Sequence, residues 1–308
     1  MRLYYRFFII SAEWVYSYGD LQAVIKQYPD FVEVAMDLRE FLHPRFQCLA
    51  EGISEFTFAG IYLFRHKHCY MISMLPGDLP VISGKDSDES FFMLPFGLPV
   101  KEILRELFER FGTMKAASET QVKVLLEEGY RVIEDRDNFD YLYRREELAN
   151  LKGRKFHKKK NLVNQFLNNN QCRVEPLLEE YRDDAITVLD QWEERHSQAD
   201  YLAAKEALEK MWPLQLCGGI YYINDKPVAY SLGEELARGR WFAIHFEKAI
   251  KSNEYTGIYQ YINQSFTSLL PEKYEMVNRE QDLGVLGLRK AKESYNPAGF
   301  VRKYKCIL

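Results

Sequence analysis

The sequence predicts an α+β fold built in two halves, and three observations carry that reading. Over residues 218–308 the pattern runs hairpin, strand, helix, strand, helix, strand. The first half follows a looser version of the same order, with no residue-level repeat. A chain of 308 residues, 47% hydrophobic and 28% charged, is long and apolar enough for two cores of ordinary size.

Taken in order, residues 31–41 place Phe31, Val34, Leu38 and Phe41 at helical spacing. Residues 56–64 and 69–75 read as two strands of a hairpin turned at Arg65-His66-Lys67-His68. The polar residues 83–90, rich in Gly, Asp and Ser, read as a surface loop. A helix over 100–111 sets Ile103, Leu104, Leu107 and Phe111 on one face, and a second helix over 119–128 is stopped by Gly129 before a strand at 130–133. Glu134-Asp135-Arg136-Asp137-Asn138 is the most polar break near the middle and divides the chain into domains 1–134 and 135–308. Beyond it come a strand at 139–143 and a long helix over 146–167 that ends at Asn168-Asn169-Asn170. A helix over 181–195 turns Ala185, Val188, Leu189 and Trp192 inward, and another covers 203–211. Asn224-Asp225 turns a hairpin of 218–223 and 226–232. A strand at 241–246 follows, then a helix with Ile258, Tyr261, Ile262, Ser265, Phe266, Leu269 and Leu270 on one face. A strand at 274–278, a helix at 287–295 and a closing strand at 300–308 complete the chain.

Composition narrows the function. A net charge of −4 argues against a wholly basic nucleic-acid binder but leaves room for a local basic patch. Five scattered cysteines without a CxxC pair supply neither a zinc set nor a disulfide framework, which points to reduced thiols in a cytoplasmic protein. The apolar stretch 3–10 is short and interrupted by Arg6, so neither a signal peptide nor a membrane span is expected. There is no phosphate-binding GxxxxGK[ST] loop, dinucleotide GxGxxG, HExxH or EF-hand loop, and no metal or cofactor is called for.

The richest segment is Asn278-Arg279-Glu280-Gln281-Asp282-Leu283-Gly284, with Gly287 to Pro297 after it. Carboxylates, a guanidinium and amides crowd one turn between a predicted strand and a predicted helix, within reach of a single spot. The competing reading is a solvated loop. Residues 152–160 hold Lys152, Arg154, Lys155, Lys158, Lys159 and Lys160 without an acid, which suits phosphate docking or a solvated face. In one unbroken helix Lys152 and Lys160 border the apolar side and must snorkel, pair or line a pocket. Period two puts Trp241, Ala243, His245 and Glu247 on one strand face, so His245 and Glu247 form either a general-base pair or a satisfied hydrogen-bonded pair. Asn253 to Gly257 leads into a helix N-terminus that either binds an anion or is merely capped. Ser54 has no histidine at triad-like spacing and is a weak nucleophile candidate.

These residues also carry a likeness. Tyr141-Leu142-Tyr143 followed by Leu151 to Asn161 resembles a signature of the DUF2156 family, as do Asn278 to Gly284 and Gly287 to Lys292. Ser54-Glu55-Phe56-Thr57-Phe58 looks like its N-terminal hallmark. That family is similar to the C-terminal catalytic domain of phosphatidylglycerol lysyltransferase, and its wider kin are the Fem-type peptidyltransferases. The resemblance implies two tandem GNAT-like (acetyltransferase-like) domains with mixed central sheets flanked by helices, and a substrate tunnel at or between them. It implies transfer of an aminoacyl group from aminoacyl-tRNA to an amine or hydroxyl of a lipid or peptide, at the membrane surface for a lipid, with no cofactor and no obligate protein partner.

Two departures stand out. The GNAT pyrophosphate signature Q/R-x-x-G-x-G/A is missing before Ile258, where only Gly257 stands, and this argues against acetyl-CoA. The multi-helix membrane domain that accompanies the lysyltransferases is not found in the sequence. On this reading Asp282, Glu280 and Arg289 are the expected catalytic residues, the two acids binding or deprotonating an amine. Arg279, Arg289 and Lys292 suit the oxyanion or an RNA 3′ end. Asn278, Tyr295, His245, Glu247, Ser54, Glu55 and Thr57 complete the expected substrate site, and Lys152, Arg154, Lys155, Lys158 and Lys159 the phosphate or RNA contact. Two alternatives stay open, a CoA-dependent N-acetyltransferase and a non-catalytic RNA- or peptide-binding module on a decayed fold.

Overall fold

The computed structural model describes residues 25–193 and 198–308. The stretch 3–10 and the last residues of the helix expected over 181–195 lie outside the described residues.

Two seven-stranded mixed sheets flanked by helices organise the chain. In the first, β1 (Val32–Glu33), β2 (Met71–Leu75), β3 (Leu79–Asp86) and β4 (Glu89–Met93) pair antiparallel in sequence order. Next to them β5 (Thr113–Ala117) joins parallel to β4, while β6 (Arg131–Glu134) forms the far edge. The second sheet is built from β7 (Asp140–Arg144), β8 (Cys172–Pro176), β9 (Cys217–Ile223), β10 (Lys226–Leu236), β11 (Trp241–Ala249), β12 (Met276–Asn278) and β13 (Gly299–Val301). Its spatial order is β13-β7-β12-β11-β10-β9-β8, with β11 and β12 parallel.

The helices follow the predicted periodicity where one face alone is buried. In α3 (Lys101–Phe111) Leu104, Leu107 and Phe108 pack inward, and Gly112 at φ +77° ends it. A Ser118–Gln121 capping box starts α4 (Glu119–Glu127). The buried stripe of α7 (Arg182–Glu193) is Ala185, Val188, Leu189 and Trp192. One continuous core takes Phe58 and Ile72 from the first half and Ala204 and Ile220 from the second, so the halves are packed as one body.

Five expectations are corrected. Residues 56–64 form a helix, α2 (Phe58–Leu63), N-capped by Thr57, whose Oγ1 accepts from the Gly60 N–H at 2.9 Å. Phe58, Ala59, Ile61, Tyr62 and Leu63 are all buried, and a short run buried all round has no period to read. The hairpin is instead β2–β3, turned at residues 76–78 with Gly77 at φ +82°. Residues 83–90 are no surface loop, because β3 and β4 continue through them and turn only at Ser87 and Asp88. The region 31–41 begins as edge strand β1, and helix α1 (Arg39–Gln47) starts late. The long helix over 146–167 is two, α5 (Arg145–Asn150) and α6 (His157–Asn169), broken by Leu151 at φ +45° and Gly153 at φ +91°. The closing strand is likewise two. After β13 the chain crosses to the first sheet, where β14 (Tyr304–Ile307) inserts between β5 and β6.

Candidate active site

A cavity of about 610 Å³ opens between the halves, with Glu55, Tyr70, Asp86 and Lys115 on one side and His245, Glu247, Lys248, Arg279, Glu280 and Lys292 on the other. A β-bulge shapes its wall. Pairing of β10 with β11 steps from Leu232↔Phe246 to Gly233↔Ile244, so His245 is the extra, unpaired residue and the strict alternation is lost. The expected His245–Glu247 pair is therefore not formed. The His245 ring, 3% exposed, lies between Glu234 (Nε2–Oε1 2.9 Å) and Glu280 (Nδ1–Oε1 2.6 Å). Burial alone would lower its pKa, but the hydrogen bonds to both carboxylates raise it to about 10. His245 is thus an imidazolium that donates from both nitrogens, not a neutral base. Glu247 instead binds the Arg279 guanidinium and accepts from Asn263 Nδ2 at 3.2 Å. Arg279 also lies 5.0 Å from the centroid of the Tyr295 ring. Burial opposes its charge, and Glu247 more than restores it.

The turn 278–284 is held from behind. Asn278 is wholly buried. Its Nδ2 donates to Gly52 O and to Asp140 Oδ2, and its Oδ1 accepts from the Glu280 N–H at 2.8 Å. That bond fixes Glu280 at φ +55°, with its carboxylate turned to the cavity. Asp282 is 0% exposed and accepts five hydrogen bonds, from Arg289 Nε (2.9 Å) and Nη2 (2.7 Å), Arg136 Nη1 (3.1 Å), Tyr141 OH (2.7 Å) and Gly284 N (2.9 Å). Burial would raise its pKa, yet Arg289 and Tyr141 hold it well below the usual carboxylate range. Arg289 also bonds Asp137 at 2.6 Å. Asp282 and Arg289 thus stand behind the cavity wall rather than in it.

A second buried network joins the halves. Asp140 accepts from the Ser54 N–H (2.8 Å), Ser54 Oγ (2.8 Å) and Lys303 Nζ (2.7 Å), and Lys303 also bonds Glu55. Gln281 Nε2 donates to Ser54 Oγ at 2.8 Å, which ties this network to the turn. Ser54 is thereby engaged on every side, and Thr57 is spent on capping α2. Lys292 and Lys248 also line the wall. Lys292 donates to the carbonyls of Arg279 and Gln281, and Lys248 lies with Nζ 3.4 Å from the centroid of the Trp192 ring. Burial lowers the pKa of each to about 8. Among the described residues no group of three or more His, Cys, Asp or Glu is placed to hold a metal ion.

Residues 46–307 match the family described as phosphatidylglycerol lysyltransferase, C-terminal. The chain belongs to this family. Among similar solved structures is a conserved protein of unknown function from Bacteroides thetaiotaomicron, at 28% identity and TM-score 0.80, covering 90% of this chain and 99% of that one. L-PGS from Bacillus licheniformis aligns at 16% identity and TM-score 0.60 over 92% of this chain and 93% of its own. FemX aligns at 9% identity and TM-score 0.56 over 91% and 97%. The last two likenesses speak to the fold alone, which is the tandem GNAT-like arrangement that the motifs implied. A comparison with curated proteins gave no match.

In this member of the lysyltransferase C-terminal family the basic segment is divided by the break at 151–153. Lys159 alone turns to the cavity, with Nζ 4.1 Å from the centroid of the Tyr295 ring, which is itself buried in the cavity wall. Lys152, Arg154, Lys158 and Lys160 are exposed, and Lys155 pairs with Glu147 at 2.8 Å. The break takes Lys152 out of register with the apolar face of α6, while Lys160, between buried Phe156 and Val163, keeps its place beside that face and is exposed. Gly257 serves helix packing. A Cβ there would lie 2.2 Å from Leu162 O, at a backbone φ of +93°. No helix among the described residues is long and apolar enough to cross a membrane. Sequence reasoning missed Glu234, Asp140, Lys248 and Lys303. Their signal is a charge inside an otherwise apolar strand or at its end, which sequence alone does not separate from a solvated face.

Proposed function

We propose that this cavity transfers an aminoacyl group from an aminoacyl-tRNA to an amine or hydroxyl of a lipid or peptide acceptor. The observation that supports this most is Glu280, an acid fixed at its backbone by Asn278 and at its carboxylate by the His245 imidazolium, with one edge left open to the cavity. Such a carboxylate binds a substrate ammonium without reorganising. Lys292 and Lys248 bring N–H donors to the same wall and suit the carbonyl oxygen where negative charge develops. In the step, the acceptor nitrogen or oxygen bonds to the ester carbonyl carbon and the ester bond to the ribose oxygen breaks. The acceptor's proton leaves with that oxygen. The protein supplies positioning and charge stabilisation. Exposed Lys152, Arg154 and Lys158, with Lys159 at the cavity, suit the tRNA phosphates. Asp282 and Arg289 hold the turn rather than touch substrate.

The test is incubation of the chain with charged tRNA and extracted lipids or peptides, read by mass spectrometry for a new amide or ester. Transfer that is abolished in Glu280→Gln supports the reading. Turnover of acetyl-CoA, or no transfer from any charged tRNA, overturns it.

A further inference from the structure

Glu234 lies behind the cavity wall and outside its lining, yet it bonds the same imidazole that holds Glu280. Its place comes from the bulge. At the step where β10 and β11 shift register, Gly233 has no room for a Cβ, which would lie 2.0 Å from Ala243 O. The close approach of the strands there sets Glu234 opposite Ala243, beside the extra residue His245. Its neighbour Glu235 points to the other face, where it accepts from Tyr274 OH at 2.6 Å. The Glu234 and His245 side chains are 5% and 3% exposed, so their contact is shielded from bulk water.

Counting protons gives the charge state. Both ring nitrogens of His245 meet a carboxyl oxygen, Nε2 at Glu234 (2.9 Å) and Nδ1 at Glu280 (2.6 Å). A neutral imidazole carries one N–H, so two such contacts need two protons among the three groups. The surroundings place both on the ring. The Arg39 guanidinium on α1 acts on Glu234, while burial lowers the pKa of His43 on the same helix and keeps it from competing as an acid. On the cavity side Lys292 and Lys248 act on Glu280. The neighbouring pair Glu247–Arg279 is balanced within itself. Cations thus favour the ionised form of both carboxyls and leave the protons to His245. We infer that Glu234 is a positioning residue: it holds His245 as an imidazolium and through that charge keeps Glu280 an ionised, weakly basic carboxylate suited to a substrate ammonium. The charge state of the three groups stands on their own geometry, while the link to a substrate ammonium rests on the transfer reading.

The experiment labels histidine with 15N and glutamate with 13C in the intact chain. NMR then follows the His245 ring and the Glu280 carboxyl through a pH titration, with resonances assigned by His245→Gln and Glu280→Gln. In the parent both ring nitrogens should carry protons at neutral pH. In Glu234→Gln the amide can donate to Nε2, so the ring keeps an Nδ1–H toward Glu280 without a charge. A neutral ring is expected in that variant at neutral pH, and Glu280 should take up its proton about 1–3 pH units higher than in the parent. A ring with only one protonated nitrogen in the parent overturns the inference, whether or not the variant folds. A ring still doubly protonated in Glu234→Gln, or a Glu280 titration that stays in place, overturns it as well. Neither readout needs turnover, so a chain that transfers no aminoacyl group refutes the transfer reading and leaves the ring and carboxyl results to decide this one.

Discussion

Replacing Asp282 with Asn separates a residue that builds the site from one that performs the chemistry. The carboxylate is wholly buried and accepts from Arg289 twice, from Arg136, from Tyr141 and from Gly284. Asn keeps the shape, removes the charge and turns an NH₂ toward two guanidinium groups. Breaking a buried ion pair on one side costs about 3–5 kcal/mol. Arg289 and Arg136 are 25% and 35% exposed and can rehydrate, so the low end, about 3 kcal/mol, is expected. Urea unfolding at neutral pH measures this, with aminoacyl transfer followed on the folded protein. The pH dependence has a definite sign. The folded carboxyl is held below its ordinary value, so its stabilisation is full above about pH 4 and is lost as pH falls toward the depressed native value. The variant should lack that acid-side slope. A cost under about 1 kcal/mol with transfer abolished would refute the reasoning and put Asp282 in contact with substrate.

Glu280→Gln should cost about 1.5–3 kcal/mol of unfolding free energy, because the buried His245 imidazolium loses one of its two carboxylates, while transfer by the folded protein falls at least about a hundredfold in single-turnover kinetics. His245, raised to about 10, contributes stability that is full below about pH 6.5 and fades as pH rises toward 10. Denaturation series from pH 6 to about 10 should show that loss in the parent and not in His245→Gln. Gly257→Ala should cost about 2 kcal/mol or more in chemical denaturation, because its Cβ meets Leu162 O at 2.2 Å and the backbone sits at φ +93°. A neutral result would show that α8 (Ile258–Leu269) and α6 can move apart freely.

Local chemistry was legible wherever one face of an element meets the core. The stripe of α3, the inward face of α7 and the Asn224-Asp225 turn, at φ +50° and +59°, follow from periodicity and turn preference within a few residues. The helix α2 is not legible in sequence because burial on all sides erases its period, and the break at Leu151 is marked mainly by one glycine two residues on. The turn 278–284 was recognisable as special from its crowded charges, but not which of them face substrate. That division depends on partners far away in sequence, with Arg136 reaching Asp282 across 146 residues and Lys303 reaching Asp140 across 163.

What the amino-acid order determined alone is therefore the class of the fold, most of its elements and the segment where the charges gather. Short-range sterics and hydrophobic periodicity act within one element and are written in consecutive residues. Tertiary structure alone decided that β14 crosses into the first sheet, that a bulge parts His245 from Glu247, and that Asp282 is buried while Glu280 stays open. The energy of a charge depends on how far it is desolvated and on which opposite charge it meets, and both are properties of the packed chain.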